Sequence, residues 1–187
     1  MVEYQSGLEA CFADFQNKIS PATNSSGTPD IIIAEQRDIK ITQLSFFVNE
    51  QARLKTQLAK SGISDVPKFS QTIKGKDVLA ARVEMGKIWL ISKEHIVTKD
   101  AFYALDLSSS RNVVRLAGAR AEDVMARICA VDFRDKSRSF YATSMHHVGI
   151  HVHHHDGVFD IYMPRSFGQS LTEMLIDISR QYHVQMA

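Results

Sequence analysis

The stretch VGIHVHHHDGVFDIYM, residues 148–163, contains the strongest β-hairpin pattern of the chain. Asp156-Gly157 is a two-residue turn of the kind that tolerates a positive φ at both positions. Strands are therefore predicted at 148–155 and 158–163, and the turn determines which residues face each other across the pair. The predicted partners are His155 with Val158, His153 with Asp160, and His151 with Tyr162.

Alternation along these two strands separates a polar face from an apolar face. The apolar face carries Val148, Ile150, Val152, His154, Phe159, Ile161 and Met163. Such a division is typical of a sheet that is covered on one side only. We therefore expect His151, His153 and Asp160 to lie on the less buried face.

The polar face of the hairpin has two interpretations, a metal site and a solvated or partner-facing surface. His151, His153 and Asp160 offer imidazole and carboxylate groups, which zinc accepts as ligands. Histidines two residues apart on a flat strand do not by themselves converge on one ion, so the solvated or partner-facing surface is the main expectation. If zinc binds, we expect weak affinity that the double change His151→Ala, His153→Ala abolishes.

A helix is predicted directly after the hairpin. Ser166 and Gln169 have the spacing of a capping box, in which two side chains satisfy the first free N–H groups of a helix. An apolar stripe follows at helical spacing: Phe167, Leu171, Met174, Leu175 and Ile178. We expect Phe167, Leu171, Leu175 and Ile178 to pack on the apolar face of the hairpin.

Strand and helix patterns alternate upstream of the hairpin. A strand around 113–116 ends at Gly118, and a short helix follows with apolar residues at positions 121, 124, 125 and 128. Residues 31–48 have strand character, and Asn49 can cap a helix that carries Leu54 and Leu58 and ends before Gly62. Another hairpin is predicted between 78 and 92.

The N-terminal segment is predicted to be a helix joined to the rest by a linker. Residues 6–19 are amphipathic, with Ser6 and Glu9 at capping-box spacing, and residues 20–30 are rich in Pro, Gly, Ser and Asn. This helix is expected to dock loosely or on a partner.

The remainder, 31–187, is predicted to be one domain with two weakly similar lobes, about 31–105 and 106–187. The class is α+β, in two layers with mixed or antiparallel sheets.

Composition argues against several kinds of partner. The net charge is +1, from 22 basic and 21 acidic residues, without the basic excess typical of nucleic-acid binding. No apolar run approaches the roughly 20 residues of a membrane helix, and the first residues do not resemble a signal peptide. Cys11 and Cys129 are expected to be reduced thiols, the latter buried, in a cytoplasmic protein.

Motifs for catalysis and cofactor binding are missing from the sequence. It contains no G-x-G-x-x-G or Walker A run for a nucleotide and no G-x-S-x-G elbow for a nucleophile. We therefore expect no catalytic and no cofactor-binding residue on this chain. Arg165 lies beside a predicted helix start, where a cation is unfavourable. It is expected either to meet an acidic partner or a carbonyl, or to point into water.

An ordered set of segments resembles the sarcosine oxidase gamma family. The segments are Ile88-Trp-Leu-Ile91, Asp106-Leu-Ser-Ser-Ser-Arg111, Val114-Arg-Leu-Ala-Gly118, Ala121-x-x-Val124-Met-Ala126, Val131-Asp-Phe133 and Met163-Pro-Arg-Ser-Phe167. The resemblance extends over roughly residues 80–180. In place of the family's G-P-D-E-W segment, this chain has Ser92-Lys-Glu-His-Ile96.

The resemblance implies a fold like that of the folate-binding aminomethyltransferase superfamily and a non-catalytic place in a cytoplasmic heterotetramer with alpha, beta and delta subunits. Such a complex oxidatively demethylates sarcosine to glycine and passes a one-carbon unit to tetrahydrofolate. FAD, FMN, NAD, tetrahydrofolate and zinc are then expected on the partner subunits. Other N-methylated amines are alternative substrates, and a free-standing folate-binding protein is the alternative function. Arg111, Arg165 and Phe167 are the candidate partner contacts.

Overall fold

The computed structural model describes residues 6–18, 27–96 and 103–187. In chain order, the elements are α1 (Glu9–Lys18), β1 (Ile31–Glu35), β2 (Lys40–Ser45), α2 (Gln51–Ala59), β3 (Thr72–Lys74), β4 (Val78–Glu84), β5 (Lys87–Ser92), β6 (Tyr103–Asp106), β7 (Arg111–Ala117), α3 (Ala121–Ile128), β8 (Phe140–Met145), β9 (Val148–His155), β10 (Val158–Pro164), α4 (Gly168–Ser179) and β11 (Val184–Met186). Short 3-10 turns occupy Val48–Glu50, Ser108–Ser110 and Arg165–Phe167. The α+β class is confirmed.

Contacts divide the chain into two units, each built from separate stretches of sequence. The first unit takes the described residues up to 37, together with 110–135 and 142–187. The second takes the described residues of 38–109, together with 136–141. This division differs from the predicted lobes of 31–105 and 106–187, because β1 pairs with strands from the C-terminal half.

The first unit contains a mixed six-stranded sheet in the order β11-β1-β7-β10-β9-β8. β1 runs parallel to β11 and antiparallel to β7, with Ile33 opposite Leu116. Ile31 and Ile33 are fully buried, as are Val114 and Leu116 of β7. Burial of these β-branched and aliphatic side chains gives the sheet its hydrophobic stabilisation.

The predicted hairpin is confirmed with its register. Asp156 and Gly157 have φ values of 49° and 76°, so both turn residues take the left-handed conformation that such turns require. Across the strands, His155 is paired with Val158 and His153 with Asp160, and His151 is opposite Tyr162. The apolar face is also confirmed, because its interior members are all buried: Ile150, Val152, Phe159, Ile161 and Met163.

Helix α4 contacts β10 and β7, and its buried side differs from the predicted stripe. Leu171 and Leu175 are buried as predicted, but Phe167 is 48% exposed and does not anchor the helix. Thr172 and Ser179 are fully buried instead. Their hydroxyls donate to the carbonyls four residues earlier, at 2.7 Å each, so burial leaves no unsatisfied hydroxyl. A buried stripe predicted from hydrophobicity alone could not include Thr172 and Ser179, because both side chains are polar.

Two predicted capping boxes do not form. The N-cap of α4 is Phe167, which makes no side-chain cap bond, and Gln169 donates to Glu173 instead. The hydroxyl of Ser6 accepts from the N–H of Leu8 at 3.1 Å, whereas the N–H of Glu9 donates to the Ser6 carbonyl. Local 3-10 or bent geometry at both helix starts satisfies these N–H groups in another way.

Helix α1 packs within the first unit, whereas the sequence analysis expected it to dock loosely or on a partner. Leu8 is fully buried, and Phe12 and Phe15 are each 9% exposed. The guanidinium carbon of Arg180, just after α4, lies 5.1 Å from the centre of the Phe15 ring. Predicted member Ile19 and most of the predicted linker, 20–30, lie outside the described residues.

The second unit is an antiparallel five-stranded sheet in the order β3-β4-β5-β2-β6, with helix α2. Leu54 and Leu58 of α2 are buried as predicted, in a cluster with Leu44, Ile88 and Leu90. The helix begins after a 3-10 turn and is N-capped by Glu50, not by Asn49. The side chain of Glu50 accepts from the N–H of Phe47 at 2.8 Å.

Candidate functional site

A compact group of charged and imidazole side chains lies on the polar face of the first sheet. Arg115 on β7 is opposite Asp160 on β10, which is opposite His153 on β9. His155, two residues further along β9, projects from the same face as His153. We call Arg115, His153, His155 and Asp160 the β7–β10–β9 cluster. The hairpin turn brings His153, His155 and Asp160 together, and the pairing of β10 with β7 adds Arg115.

Asp160 is the centre of this cluster. Its Oδ1 accepts from Arg115 Nε at 2.7 Å and its Oδ2 from Arg115 Nη2 at 3.0 Å, which is a two-pronged ion pair. Oδ2 also lies 3.2 Å from His155 Nε2 and 3.9 Å from His153 Nδ1. The two imidazole rings are stacked, with 4.5 Å between their centroids.

Burial distinguishes the members of the cluster. The side chains of Asp160 and His153 are 8% and 12% exposed, whereas those of His155 and Arg115 are 35% and 40% exposed. The polar face is less buried than its apolar counterpart, as predicted, yet its centre is not a solvated surface. A buried carboxylate requires such partners, because an isolated buried charge is very costly.

The structure changes the trio that the sequence had suggested for a metal. Among the described residues, His153, His155 and Asp160 bring their ligand atoms within 4.8 Å of one another. His151 is not in this group and faces Tyr162 across the ladder. Sequence reasoning chose His151 instead of His155, although the turn register already placed His155 on that face, because strand pairing alone does not show that the Asp160 carboxylate reaches His155.

Electrostatics keep the ring of His153 neutral at pH 7. Burial lowers its pKa from 6.5 to about 4, and the nearby His155 acts in the same direction, while Asp160 opposes the shift. Burial also lowers the pKa of His154, which stacks on Phe159 on the opposite face at a centroid distance of 4.3 Å. The hydrogen bond to Asp160 raises the pKa of the Arg115 guanidinium, so the guanidinium stays charged.

Acidification is expected to destabilise the protein through His153. Between pH 6.5 and about 4 the unfolded chain binds a proton at this histidine that the folded chain does not, so stability falls as the pH falls. The full effect is on the order of 3 kcal/mol. Urea unfolding at a series of pH values between these limits, with a chelator present, measures it.

Two variants isolate this contribution. His153→Gln removes the titrating ring and is expected to flatten the pH dependence over the same range. His95→Gln, at a site with 57% side-chain exposure, is expected to retain the wild-type slope. An unchanged slope in His153→Gln would show that another group is responsible.

The two cysteines behave as structural thiols. Both are free and buried. Burial raises the pKa of Cys11 to about 11 and that of Cys129 to about 12, and Glu173 and Asp14 add to the shift at Cys11. Because the thiolate is the reactive form, neither is activated as a nucleophile.

Each unit has an open depression on its described surface. The first-unit depression is lined by residues 122–134, with Phe133 as its aromatic member. The second-unit depression is lined by α2 and residues 65–68, with Arg82 and without an aromatic side chain.

The three predicted partner contacts lie near one end of the first sheet. Arg111 begins β7 opposite Pro164, and Arg165 and Phe167 belong to the turn that follows. Burial lowers the pKa of the Arg111 guanidinium. Phe167 is 48% exposed.

A second exposed region lies at one end of the second sheet. Its large apolar side chains are Phe47 (67% exposed), Val48 (68%), Met85 (73%) and Tyr103 (78%). Their chain positions are neighbours at this end of the sheet, because Ser45 pairs with both Lys87 and Tyr103, and the N–H of Phe46 donates to the Gly86 carbonyl. We call these four residues the apolar end. Contiguous exposed apolar groups commonly mark a protein-protein contact.

Sequence comparison finds no matching protein-family model and no match among curated proteins. Structural comparison does find similar folds. A chain of the heterotetrameric sarcosine oxidase from Corynebacterium sp. U-96, in complex with pyrrole 2-carboxylate, superposes with a TM-score of 0.80 and 15% identity over 98% of both chains. The glycine cleavage system aminomethyltransferase T from Bartonella henselae superposes with a TM-score of 0.62 and 11% identity, over 93% of this chain and 57% of that one.

The chain is therefore an α+β protein with an aminomethyltransferase-like fold. More particularly, over nearly its whole length it has the fold of a chain of heterotetrameric sarcosine oxidase, which confirms at the level of the fold the resemblance drawn from the sequence. None of the helices in the described part of the chain has the length and apolar character needed to cross a bilayer.

Proposed function

We propose that the chain is a non-catalytic, gamma-type subunit of a sarcosine oxidase-type flavoenzyme. The carrying observation is the superposition on a chain of heterotetrameric sarcosine oxidase over 98% of both chains. Equivalent subunits are expected to superpose in this way, because the match includes both units and leaves almost no residue of either chain unmatched.

In this proposal the complex oxidatively demethylates sarcosine, or a related N-methyl amino acid, to glycine and transfers the one-carbon unit to tetrahydrofolate. The partners are alpha, beta and delta subunits, and the complex is cytoplasmic. FAD, FMN, NAD, tetrahydrofolate and the zinc of the complex belong to the partners. Amine oxidation requires an electron acceptor such as a flavin, which side chains alone do not supply.

The exposed side chains of this protein are suited to contacts with larger subunits. The apolar end exposes four large side chains, and Phe167 exposes a fifth beside Arg165. Exposed aromatic and arginine residues are the types most enriched at the centres of interfaces. We propose the apolar end and the Arg111, Arg165 and Phe167 region as two contact areas for the larger subunits.

Co-expression with alpha, beta and delta subunits of this enzyme type tests the proposal. The full chain is expected to co-purify with them in one complex that has flavin absorbance and oxidises sarcosine. The chain purified alone is expected to have neither property. The double change Phe47→Ser, Met85→Ser is expected to weaken the complex at least about tenfold, since interface anchors are typically worth more than 1 kcal/mol each.

Phe69→Ser provides the matched control, because Phe69 is also exposed, at 61%, but precedes the opposite edge strand β3. It is expected to leave the complex intact. Stoichiometric flavin on the chain alone, sarcosine turnover by it, or failure to co-purify would each contradict the proposal. Circular dichroism of each variant verifies that it is folded.

The alternative is a free-standing folate-binding protein of the aminomethyltransferase type. The superposition on aminomethyltransferase T favours it, although this chain corresponds to 57% of that protein. Binding of tetrahydrofolate to the isolated chain distinguishes the two functions. The alternative predicts saturable binding, whereas the subunit proposal predicts none.

A further inference from the structure

We propose that His153, His155 and Asp160 form a binding site for a divalent transition-metal ion, with zinc as the preferred ion. The site is on this chain and does not depend on the proposed function, since it concerns residues of the first sheet alone. The observation behind it is the convergence of two imidazoles and one carboxylate on β9 and β10, with ligand atoms within 4.8 Å of one another.

The distances fit a tetrahedral ion after a small adjustment. Zinc bonds of about 2.0–2.1 Å place neighbouring ligand atoms about 3.3 Å apart. His155 Nε2 and Asp160 Oδ2 are already 3.2 Å apart, and His153 Nδ1 is 3.9 Å from the same oxygen. All three ligand atoms lie within 4.8 Å of one another, so a side-chain movement of about 1–2 Å at His153 would complete the geometry.

The pairing of β9 with β10 explains why the two histidines converge. Residues two apart on one strand share a face but do not normally point at one atom. Here Asp160 lies directly across from His153, and its carboxylate reaches towards His155 as well. The oxygen Oδ2 is thus a common point for both rings, and the third ligand comes from the neighbouring strand.

The donor set selects the kind of ion. Two imidazole nitrogens and a carboxylate oxygen suit zinc and its neighbours in the transition series, whereas Ca²⁺ and Mg²⁺ prefer oxygen ligands alone. Three protein ligands leave a fourth position for water, as in open zinc sites. The side chain of His155 is 35% exposed, so the position is reachable from solvent.

Arg115 has two opposing effects on this site. Its Nε holds Asp160 Oδ1 at 2.7 Å and so orients the carboxylate, in the manner of the hydrogen-bonded partners that surround metal ligands. Its positive charge also opposes a second cation. Because Arg115 is 40% exposed, its Nη2 can leave Oδ2 and turn to water when the ion arrives. We therefore expect moderate affinity, weaker than that of a closed structural zinc site.

Calorimetric titration of the full chain with ZnCl₂, after chelator treatment, tests the site. One equivalent of zinc is expected to bind. His153→Ala and His155→Ala are each expected to weaken binding at least about 100-fold, because loss of a ligand should exceed the 10–100-fold cost of losing an outer partner. His155→Gln serves as a milder second variant at a partly exposed position.

Matched histidine variants separate this site from incidental surface binding. His151→Ala changes the same strand and face outside the trio, and His154→Ala changes the opposite face. The double change His146→Ala, His147→Ala removes the adjacent pair at the preceding turn. All three are expected to retain wild-type affinity. Equal losses in His151→Ala and His155→Ala, or full affinity in His153→Ala and His155→Ala, would overturn the proposal.

Cobalt substitution gives a readout of geometry. Co²⁺ added to the full chain is expected to produce the visible absorption of a four-coordinate nitrogen and oxygen site, and His155→Gln is expected to remove it. Ca²⁺ should not compete with cobalt even in large excess. A spectrum typical of six-coordinate cobalt in water would refute the site.

Discussion

Gly118→Ala is expected to destabilise the protein by about 2–6 kcal/mol. Gly118 has a φ of +113°, which residues with a Cβ rarely adopt. An added Cβ would also lie 2.3 Å from the carbonyl oxygen of Asp30 and 3.1 Å from the Cα of Ile31. The obstacle is backbone, so β1 itself would have to move away from the end of β7. Urea unfolding of the variant measures the loss.

Two other glycines are controls for this effect. Gly149 lies in β9 with no positive φ and nothing within 4 Å of an added Cβ, so Gly149→Ala is expected to change stability by less than about 1 kcal/mol. Gly157 has a φ of +76° but open space around it, so Gly157→Ala reports the conformational cost without the collision. Equal losses in Gly118→Ala and Gly157→Ala would show that contact with Asp30 is unimportant.

Leu175→Ala is expected to cost about 2–5 kcal/mol. Leu175 is fully buried in α4, which contacts β10 and β7. Truncation removes burial of apolar surface and leaves a cavity that a sheet and a helix can only partly close. The denaturant midpoint should therefore fall without a large change in the slope of the transition.

Phe167→Ala provides the comparison for that result. Phe167 has the larger side chain but is 48% exposed, so its removal is expected to change stability by no more than about 1 kcal/mol. The same substitution is expected to weaken the proposed complex. Should Leu175→Ala cost no more than Phe167→Ala, α4 would not be docked as the structure shows.

The candidate site was partly predictable from sequence. The Asp156-Gly157 turn defined the register, so the pairing of His153 with Asp160 followed from alternation alone. Arg115 could not be found in this way, because its position beside Asp160 depends on which strand pairs with the other edge of β10. Several segments of the chain have similar strand character, and their pairing is decided by packing rather than by local pattern.

The sequence by itself determined the elements whose signals are local. The hairpin register, the α+β class, and the buried Leu54, Leu58, Leu171 and Leu175 all follow from turn chemistry and from the periods of strands and helices. These features depend on interactions between residues that are close in sequence, so a short stretch of the chain is enough to predict them.

Only the tertiary structure decided the features that depend on distant pairing. It placed β1 between β7 and β11, docked α1 in the first unit, and buried Thr172 and Ser179 in α4. It also put Arg115 beside Asp160. In each case several segments with similar local propensity could have paired or packed at the same place. The observed arrangement is favoured because it buries the most apolar surface and leaves the buried polar groups hydrogen-bonded.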